Sequence, residues 1–182
     1  MFTKEELESI DSNLPEDFQS RSKEFWDYVA EKIKRPRVIN RIYFDSLTSE
    51  KDALGYVEKN NAECGLLIEA LISDGATLYP TEDRLLVEET ASWAAMMENG
   101  KREDPTMVEL LTQSISDRNR FLSNVVNETL KENETGLLFV RPGRDIVNSL
   151  PPDIKVIKIQ PFEPSDYLNS WLVSKNLRSK KK

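Results

Sequence analysis

Short apolar runs separated by longer amphipathic stretches recur along the chain, a pattern typical of strands that alternate with helices. Residues 38–44, 76–79 and 137–140 predict three strands. The wholly apolar run 137–140, bounded by glycine before and Pro-Gly shortly after, is typical of a strand buried on both faces. Residues 154–159 interleave apolar side chains with lysines and predict a fourth, half-buried edge strand.

Apolar side chains at helical spacing predict the helices between these strands. Thr81 is expected to cap the helix after the second strand. The longest helix carries an apolar stripe interrupted by one charged residue, Arg118, which stands seven positions from both Leu111 and Val125. The predicted helices cover residues 3–10, 15–33, 49–60, 64–72, 81–98 and 106–132, and a last helix begins at residue 165.

Strands separated by helices need crossover connections, which place the strands parallel in one sheet. We therefore predict the α/β class: a single helix-rich domain with a small, mostly parallel sheet of about four strands. With no repeat and no internal linker, this domain is expected to cover residues 1–177. Residues 178–182, RSKKK, are expected to form a basic, disordered tail.

The amino-acid composition excludes several kinds of catalytic and metal site, although it says less about the fold. The chain has 182 residues, a net charge of −7, one cysteine and no histidine. Without histidine there is no Ser-His-Asp or Cys-His catalysis and no histidine-based metal site. The single cysteine, Cys64, excludes internal disulfides. Acid–base chemistry would therefore fall to Asp, Glu, Lys or Tyr.

Charge and hydropathy also set expectations about partners and location. A net charge of −7 argues against nucleic acid and against anionic membrane surfaces as partners. No apolar run is long enough to span a membrane, and the acidic first residues do not resemble a signal peptide. We therefore expect a cytoplasmic protein with neither nucleic acid nor membrane as a partner.

Charged residues follow the predicted strands at the ends where open α/β sheets bind ligands. Asp45 follows the first strand, Glu82 the second, and Arg141 and Arg144 the third. If these strands are parallel, the four side chains lie along one edge of the sheet. Two arginines there predict a pocket for a small anionic ligand, with guanidinium groups as paired donors and Glu82 as an acid or base. The alternative is a surface cluster of ion pairs in ordinary polar loops.

Arg118 is the most informative single residue, because an arginine on an apolar stripe is costly to bury without a carboxylate or a ligand anion. It is expected to reach the same edge of the sheet. Three interpretations stay open: an ion pair with Asp45, Glu82 or Asp145, a contact with a ligand, or a side chain that extends along the core to water.

The segment 118–144 resembles the end of the TraB/ChaN-like superfamily, which includes erythromycin-esterase-like proteins. In that family a helix beginning with Arg-Asp precedes an apolar strand that ends in Gly-His. Here Arg118-Asn119 stands at the first place, and the strand 137–140 followed by Gly143-Arg144 at the second. Asn119 and Arg144 depart from the family pattern, and its early Gly-Thr-x-His strand is absent. The resemblance therefore implies that a metal or hydrolytic site is lost, and that an anion-binding pocket of Arg118, Arg144 and Glu82 remains.

Three functional hypotheses follow from these observations. The first is binding of a small anionic ligand without catalysis, through Arg118, Arg141, Arg144, Glu82 and Asp45. The second is a carboxylate-based hydrolase with Glu82 or Asp45 as general base and an optional Mg²⁺ ion. The third is a homodimeric interaction module that uses the helix 15–33 or the last helix. The sequence does not identify a cofactor.

Overall fold

The computed structural model describes residues 18–33, 38–98, 104–141 and 144–159, and a parallel sheet of three strands lies at its centre. The strands are β1 (Arg41–Phe44), β2 (Thr77–Pro80) and β3 (Gly136–Phe139), in the order β2-β1-β3. Both neighbours of β1 run parallel to it. Together with the helices between the strands, this confirms the predicted α/β class with a small parallel sheet.

Five α-helices surround the sheet in the described part of the chain, and the predicted positions of four of them lie close to the observed ones. Residues 49–60 were predicted as one helix, but α2 begins only at Ala53, after a turn. Asn61 separates α2 from α3, and its side chain accepts a hydrogen bond from the Cys64 amide. The helices are α1 (Phe18–Ile33), α2 (Ala53–Asn60), α3 (Ala62–Ser73), α4 (Arg84–Met96) and α5 (Pro105–Thr129), and a 3₁₀ turn covers Val147–Ser149.

Alternate residues of β1 face two separate apolar clusters, as the pleat of a strand requires. Ile42 and Phe44 belong to a larger cluster with α1, α2 and α3 on one face of the sheet. Tyr43 belongs to a smaller cluster on the other face, with Leu122 and Val126 from the second half of α5. Because helices cover both faces, β1 is almost fully buried, as the apolar character of its sequence suggests.

The prediction that Thr81 caps α4 is wrong. Asp83 is the N-cap, and its carboxylate accepts from the amides of Leu85 and Leu86. A carboxylate is a strong cap because it satisfies free amides at the positive end of the helix. Thr81 instead donates its hydroxyl to the Phe44 carbonyl at 2.7 Å and is fully buried.

The predicted fourth strand at residues 154–159 is not formed, since residues 155–159 have no regular secondary structure. Val156 and Ile157 are exposed, whereas Ile154 packs on the smaller cluster and Ile159 on the larger one. Interleaved apolar and basic side chains therefore reflect contacts at the two ends of this segment. They do not mark one continuous buried face.

Several predictions fall outside the described residues: the helix at 3–10, the helix from residue 165 and the basic tail 178–182. Within the described ranges, no helix combines the length and the apolar character that crossing a membrane requires. The expected cytoplasmic location stays a prediction.

Candidate functional site

The carboxyl ends of the three strands meet at one edge of the sheet. Phe44 pairs in register with Pro80 of β2 and with Phe139 of β3. Asp45 follows β1 directly, Glu82 lies two residues beyond β2, and Arg141 lies two residues beyond β3. Parallel pairing therefore brings together side chains that are far apart in sequence.

Backbone hydrogen bonds fix the chain after β2 against the end of β1. The amides of Thr81 and Glu82 both donate to the Leu47 carbonyl, at 2.9 and 3.1 Å. The Thr81 hydroxyl adds its bond to Phe44. Glu82 is therefore held by main-chain contacts and by a buried hydroxyl, and its side chain has no exposed surface.

Arg118 forms a paired ion pair with Glu82. Its Nε donates to Oε2 at 2.9 Å and its Nη2 donates to Oε1 at 2.7 Å. Of the three interpretations left open by the sequence, this geometry is that of an ion pair. A planar guanidinium that meets both carboxylate oxygens is the arrangement that best offsets the cost of burying the two charges.

Arg144 connects the two carboxylates. Its Nη1 contacts both Asp45 Oδ1 and Glu82 Oε1, and its Nε donates to Asn119 Oδ1 at 2.9 Å. Asn119 in turn donates to the Asp145 carbonyl at 3.2 Å. The remaining nitrogen, Arg144 Nη2, is buried and has no hydrogen-bond partner in the described part of the chain.

Asp45 is bound from two directions. Its Oδ1 meets Arg144, while its Oδ2 accepts from the Arg141 amide at 3.0 Å and lies 3.5 Å from Arg141 Nε. The Arg141 side chain is 36% exposed, against 11% for Arg144 and 13% for Arg118. Arg141 is therefore the guanidinium of the set that solvent reaches most easily.

Two groups of this network have shifted pKa values, the Asp45 carboxyl and the Arg118 guanidinium, and both are held in their charged forms. Burial alone raises the pKa of Asp45, but the Arg144 guanidinium and the Arg141 amide outweigh it, so the net pKa lies below its ordinary value. Burial lowers the pKa of Arg118, and the hydrogen bonds and charge of Glu82 more than reverse this. Both groups are therefore ionised at neutral pH.

A small, partly open depression lies beside this network at the same sheet edge. Phe44 and Phe139 from the strands, Tyr56 and Asn60 from α2, and Arg141 line it, and almost all of its exposed surface is carbon. Ser46, which also lines it, has a φ angle of 76°, in the left-handed region that non-glycine residues rarely adopt. Uncommon backbone geometry of this kind clusters at functional sites.

The structure places all five predicted site residues, Arg118, Arg141, Arg144, Glu82 and Asp45, in one network. Two neighbouring carboxylates have other partners: Asp83 caps α4, and the exposed Asp145 accepts from Asn148. Asn119 was not predicted as a site residue, although its position next to Arg118 in the sequence could have indicated it. The aromatic depression was also missed, because it depends on how α2 packs beside the strands.

The structure bears on the two alternative hypotheses as well. Asp45 and Glu82 do converge, but each is bound by guanidinium groups, which leaves neither as an unpaired base. Within the described residues, no group of three Cys, Asp or Glu side chains is arranged to hold a metal ion. For the dimer hypothesis, the apolar side chains of Trp26, Val29 and Ile33 on α1 are buried in the core and are not available to a second copy.

No protein-family model, no curated protein and no solved structure matches the chain. The resemblance to the TraB/ChaN-like superfamily therefore stays a prediction. Of the three residues from which it implied an anion pocket, Arg118 and Arg144 both contact Glu82.

Proposed function

We propose that this protein binds a small anionic ligand at the carboxyl edge of its sheet, beside Arg141 and Arg144. The observation that carries the proposal is the meeting of three guanidinium groups, those of Arg118, Arg141 and Arg144, at the strand ends where open α/β sheets bind ligands. One of them, Arg144, keeps a buried donor nitrogen that has no acceptor in the described part of the chain.

The unpaired donor of Arg144 supports the same proposal. A buried N–H group without an acceptor costs about 1–3 kcal/mol, and a ligand oxygen would remove that cost. Arg144 Nη2 is buried, whereas the partly exposed Arg141 offers an incoming anion the first contact. Arg118 and Glu82 then have a positioning role, because they hold Arg144 in place.

Thermal unfolding with and without candidate anions tests the proposal. A ligand at 100 times its dissociation constant adds about 2.7 kcal/mol to the free energy of unfolding. For a chain of this length that corresponds to a rise in Tm of roughly 5–11 °C. The panel comprises phosphate, sulfate, short-chain and aromatic carboxylates, dicarboxylates and nucleotides.

Arg141→Gln is the informative variant, because it removes the most exposed of the three guanidinium groups and leaves the pairs of Arg118 and Arg144 with carboxylates intact. We expect it to abolish the ligand-induced rise in Tm. Arg120→Gln is the matched control, since Arg120 is an exposed arginine on α5 whose ion-pair partner among the described residues is Asp117. If no anion raises the Tm of the wild-type protein, or if Arg141→Gln responds as the wild type does, the proposal is wrong.

A further inference from the structure

The helical hairpin formed by α4 and residues 105–117 of α5 has an outer surface that is both apolar and acidic. On α4, Leu85 is 73% exposed and Met96 is 43% exposed, and the two side chains lie three turns apart on one side of the helix, with Glu89 between them. From Arg84 to Asp117 the sequence has seven carboxylates against three basic residues, a net charge of −4. Exposed apolar side chains among negative charges fit a basic amphipathic helix as a partner.

The last residues of this sequence have the complementary chemistry. Residues 165–182, SDYLNSWLVSKNLRSKKK, lie outside the described residues, and their sequence predicts a helix that begins at residue 165. Five basic residues against one aspartate give this segment a net charge of +4. Its larger apolar residues recur at helical spacing and would share one side of the helix: Tyr167, Leu168, Trp171 and Leu172.

A second acidic helix competes with the hairpin for this segment. The described chain ends at Ile159, which packs on the larger apolar cluster, and α3 packs on the same cluster. On α3, Leu66 is 66% exposed and lies between Glu63 and Glu69. However, α3 offers one large exposed apolar side chain and two carboxylates, whereas the hairpin offers four and seven. The hairpin is therefore the better match in both apolar surface and charge.

We propose that residues 165–182 dock as a helix on the outer side of α4 of the same molecule. The apolar side of the segment covers Leu85 and Met96 and removes their carbon surface from water. Its basic residues lie among the carboxylates of the hairpin, where exposed ion pairs add little energy but orient the segment. While the segment occupies this surface, other basic amphipathic helices are excluded from it.

A spin label on the full-length protein tests the proposal. Asn176→Cys places a nitroxide within the segment, away from its apolar side. The native Cys64 is fully buried, and burial raises the pKa of its thiol, so it does not take the label. In ¹⁵N-labelled protein, the oxidised nitroxide should broaden the amides of residues 85–96 more strongly than any others of the described chain, and reducing the label should restore them.

Variants on both sides of the contact locate it. Leu85→Ser should restore the α4 signals, because it removes exposed apolar surface without opening a cavity in the core. Leu66→Ser on α3 is the matched control, an equally exposed leucine whose loss should leave the broadening unchanged. In the segment, Trp171→Ser should restore the α4 signals, and replacing the three lysines at 180–182 with glutamine should restore them in part.

Three outcomes overturn the proposal. If the strongest broadening falls on α3 and disappears in Leu66→Ser, the segment docks on the other acidic helix. If α4 broadens only when ¹⁵N-labelled wild-type protein is mixed with unlabelled protein that carries the nitroxide, the segment docks on a second copy. If no described amide broadens, the segment does not dock. None of these outcomes bears on the proposed anion site, which the change in Tm tests separately.

Discussion

Two regions of the molecule differ in the contacts that stabilise their interiors. The sheet body consists of the three strands, α1, α2, α3 and residues 119–129 of α5. In it, Ile42, Val57 and Ile68 have no exposed surface. The helical hairpin consists of α4 and residues 105–117 of α5, and the single buried residue on each of its two arms is polar: Thr90 and Ser114.

The hairpin has a polar interior and the sheet body an apolar one. In the hairpin the Thr90 and Ser114 hydroxyls share a hydrogen bond of 2.6 Å, while its larger apolar side chains are half-buried or exposed. Leu85, Met96, Val108 and Ile115 all belong to the exposed set. Stability follows buried apolar surface, so the hairpin should open more readily than the sheet body.

The candidate site lies at the boundary between the two regions. Glu82 immediately precedes the Asp83 cap of α4, and Arg118 marks the point on α5 where the hairpin ends and contact with the sheet begins. Their ion pair therefore ties the less stable region to the more stable one. The charged network therefore links the two regions, and disrupting it should destabilise both of them.

Glu82→Gln should have the largest effect. It leaves Arg118 buried without a carboxylate, and breaking a buried pair from one side typically costs about 3–5 kcal/mol. The free energy of unfolding in urea measures the loss. Glu88→Gln is the control, because the Glu88 pair with Arg84 is exposed and the urea midpoint should not move. Equal urea midpoints for the two variants would show that the Glu82–Arg118 ion pair does not stabilise the contact between the two regions.

Two truncations on the same helix compare the regions directly. Leu122→Ala, at a fully buried position facing the sheet, should cost about 2–5 kcal/mol. Ile115→Ala, at an exposed position in the hairpin, should cost less than about 1 kcal/mol. Urea unfolding measures both variants. Similar losses would mean that the hairpin is as tightly packed as the sheet body.

The pH dependence of stability should report on Asp45. The folded-state pKa of Asp45 is depressed, so its contribution is fully present above its unfolded pKa of about 3.9 and is lost as pH falls through the folded value. Asp45→Asn should cost about 2 kcal/mol at pH 7, since hydrogen bonds to charged groups contribute about 1.5–3 kcal/mol. Unfolding of both proteins from pH 7 to pH 3 measures the difference, which should be constant above about pH 5 and shrink below about pH 4. A difference that grows on acidification contradicts the assigned direction.

The smallest effect should come from the polar contact inside the hairpin. Thr90→Val leaves the buried Ser114 hydroxyl without its partner and should cost about 1 kcal/mol. Hydrogen exchange of the α4 amides is the suitable measurement, because the loss should appear as faster local opening. The double variant Thr90→Val/Ser114→Ala removes both hydroxyls and should recover part of the loss. If it exchanges faster than the single variant, the hydroxyl pair is not what holds the hairpin.

Local sequence determined the positions of the strands, because short apolar runs and helical spacing report burial and periodicity directly. Residues 137–140 gave a strand within one residue of β3, and the alternation of helices and strands gave the parallel sheet. The meeting of Asp45, Glu82, Arg141 and Arg144 also followed from sequence. Parallel strands place their carboxyl ends on one edge, whatever the details of packing.

Tertiary structure decided which partner each charged group chose. The sequence left Arg118 three carboxylates, and only the approach of α5 to the chain after β2 selected Glu82. Asp83 caps α4 in place of Thr81, because the Thr81 hydroxyl donates to the Phe44 carbonyl. Residues 155–159 do not form the predicted strand: Ile154 and Ile159 pack on different clusters, while Val156 and Ile157 are exposed. The aromatic depression depends on how α2 lies beside β1 and β3, and long-range packing of that kind leaves no periodic signal in the sequence.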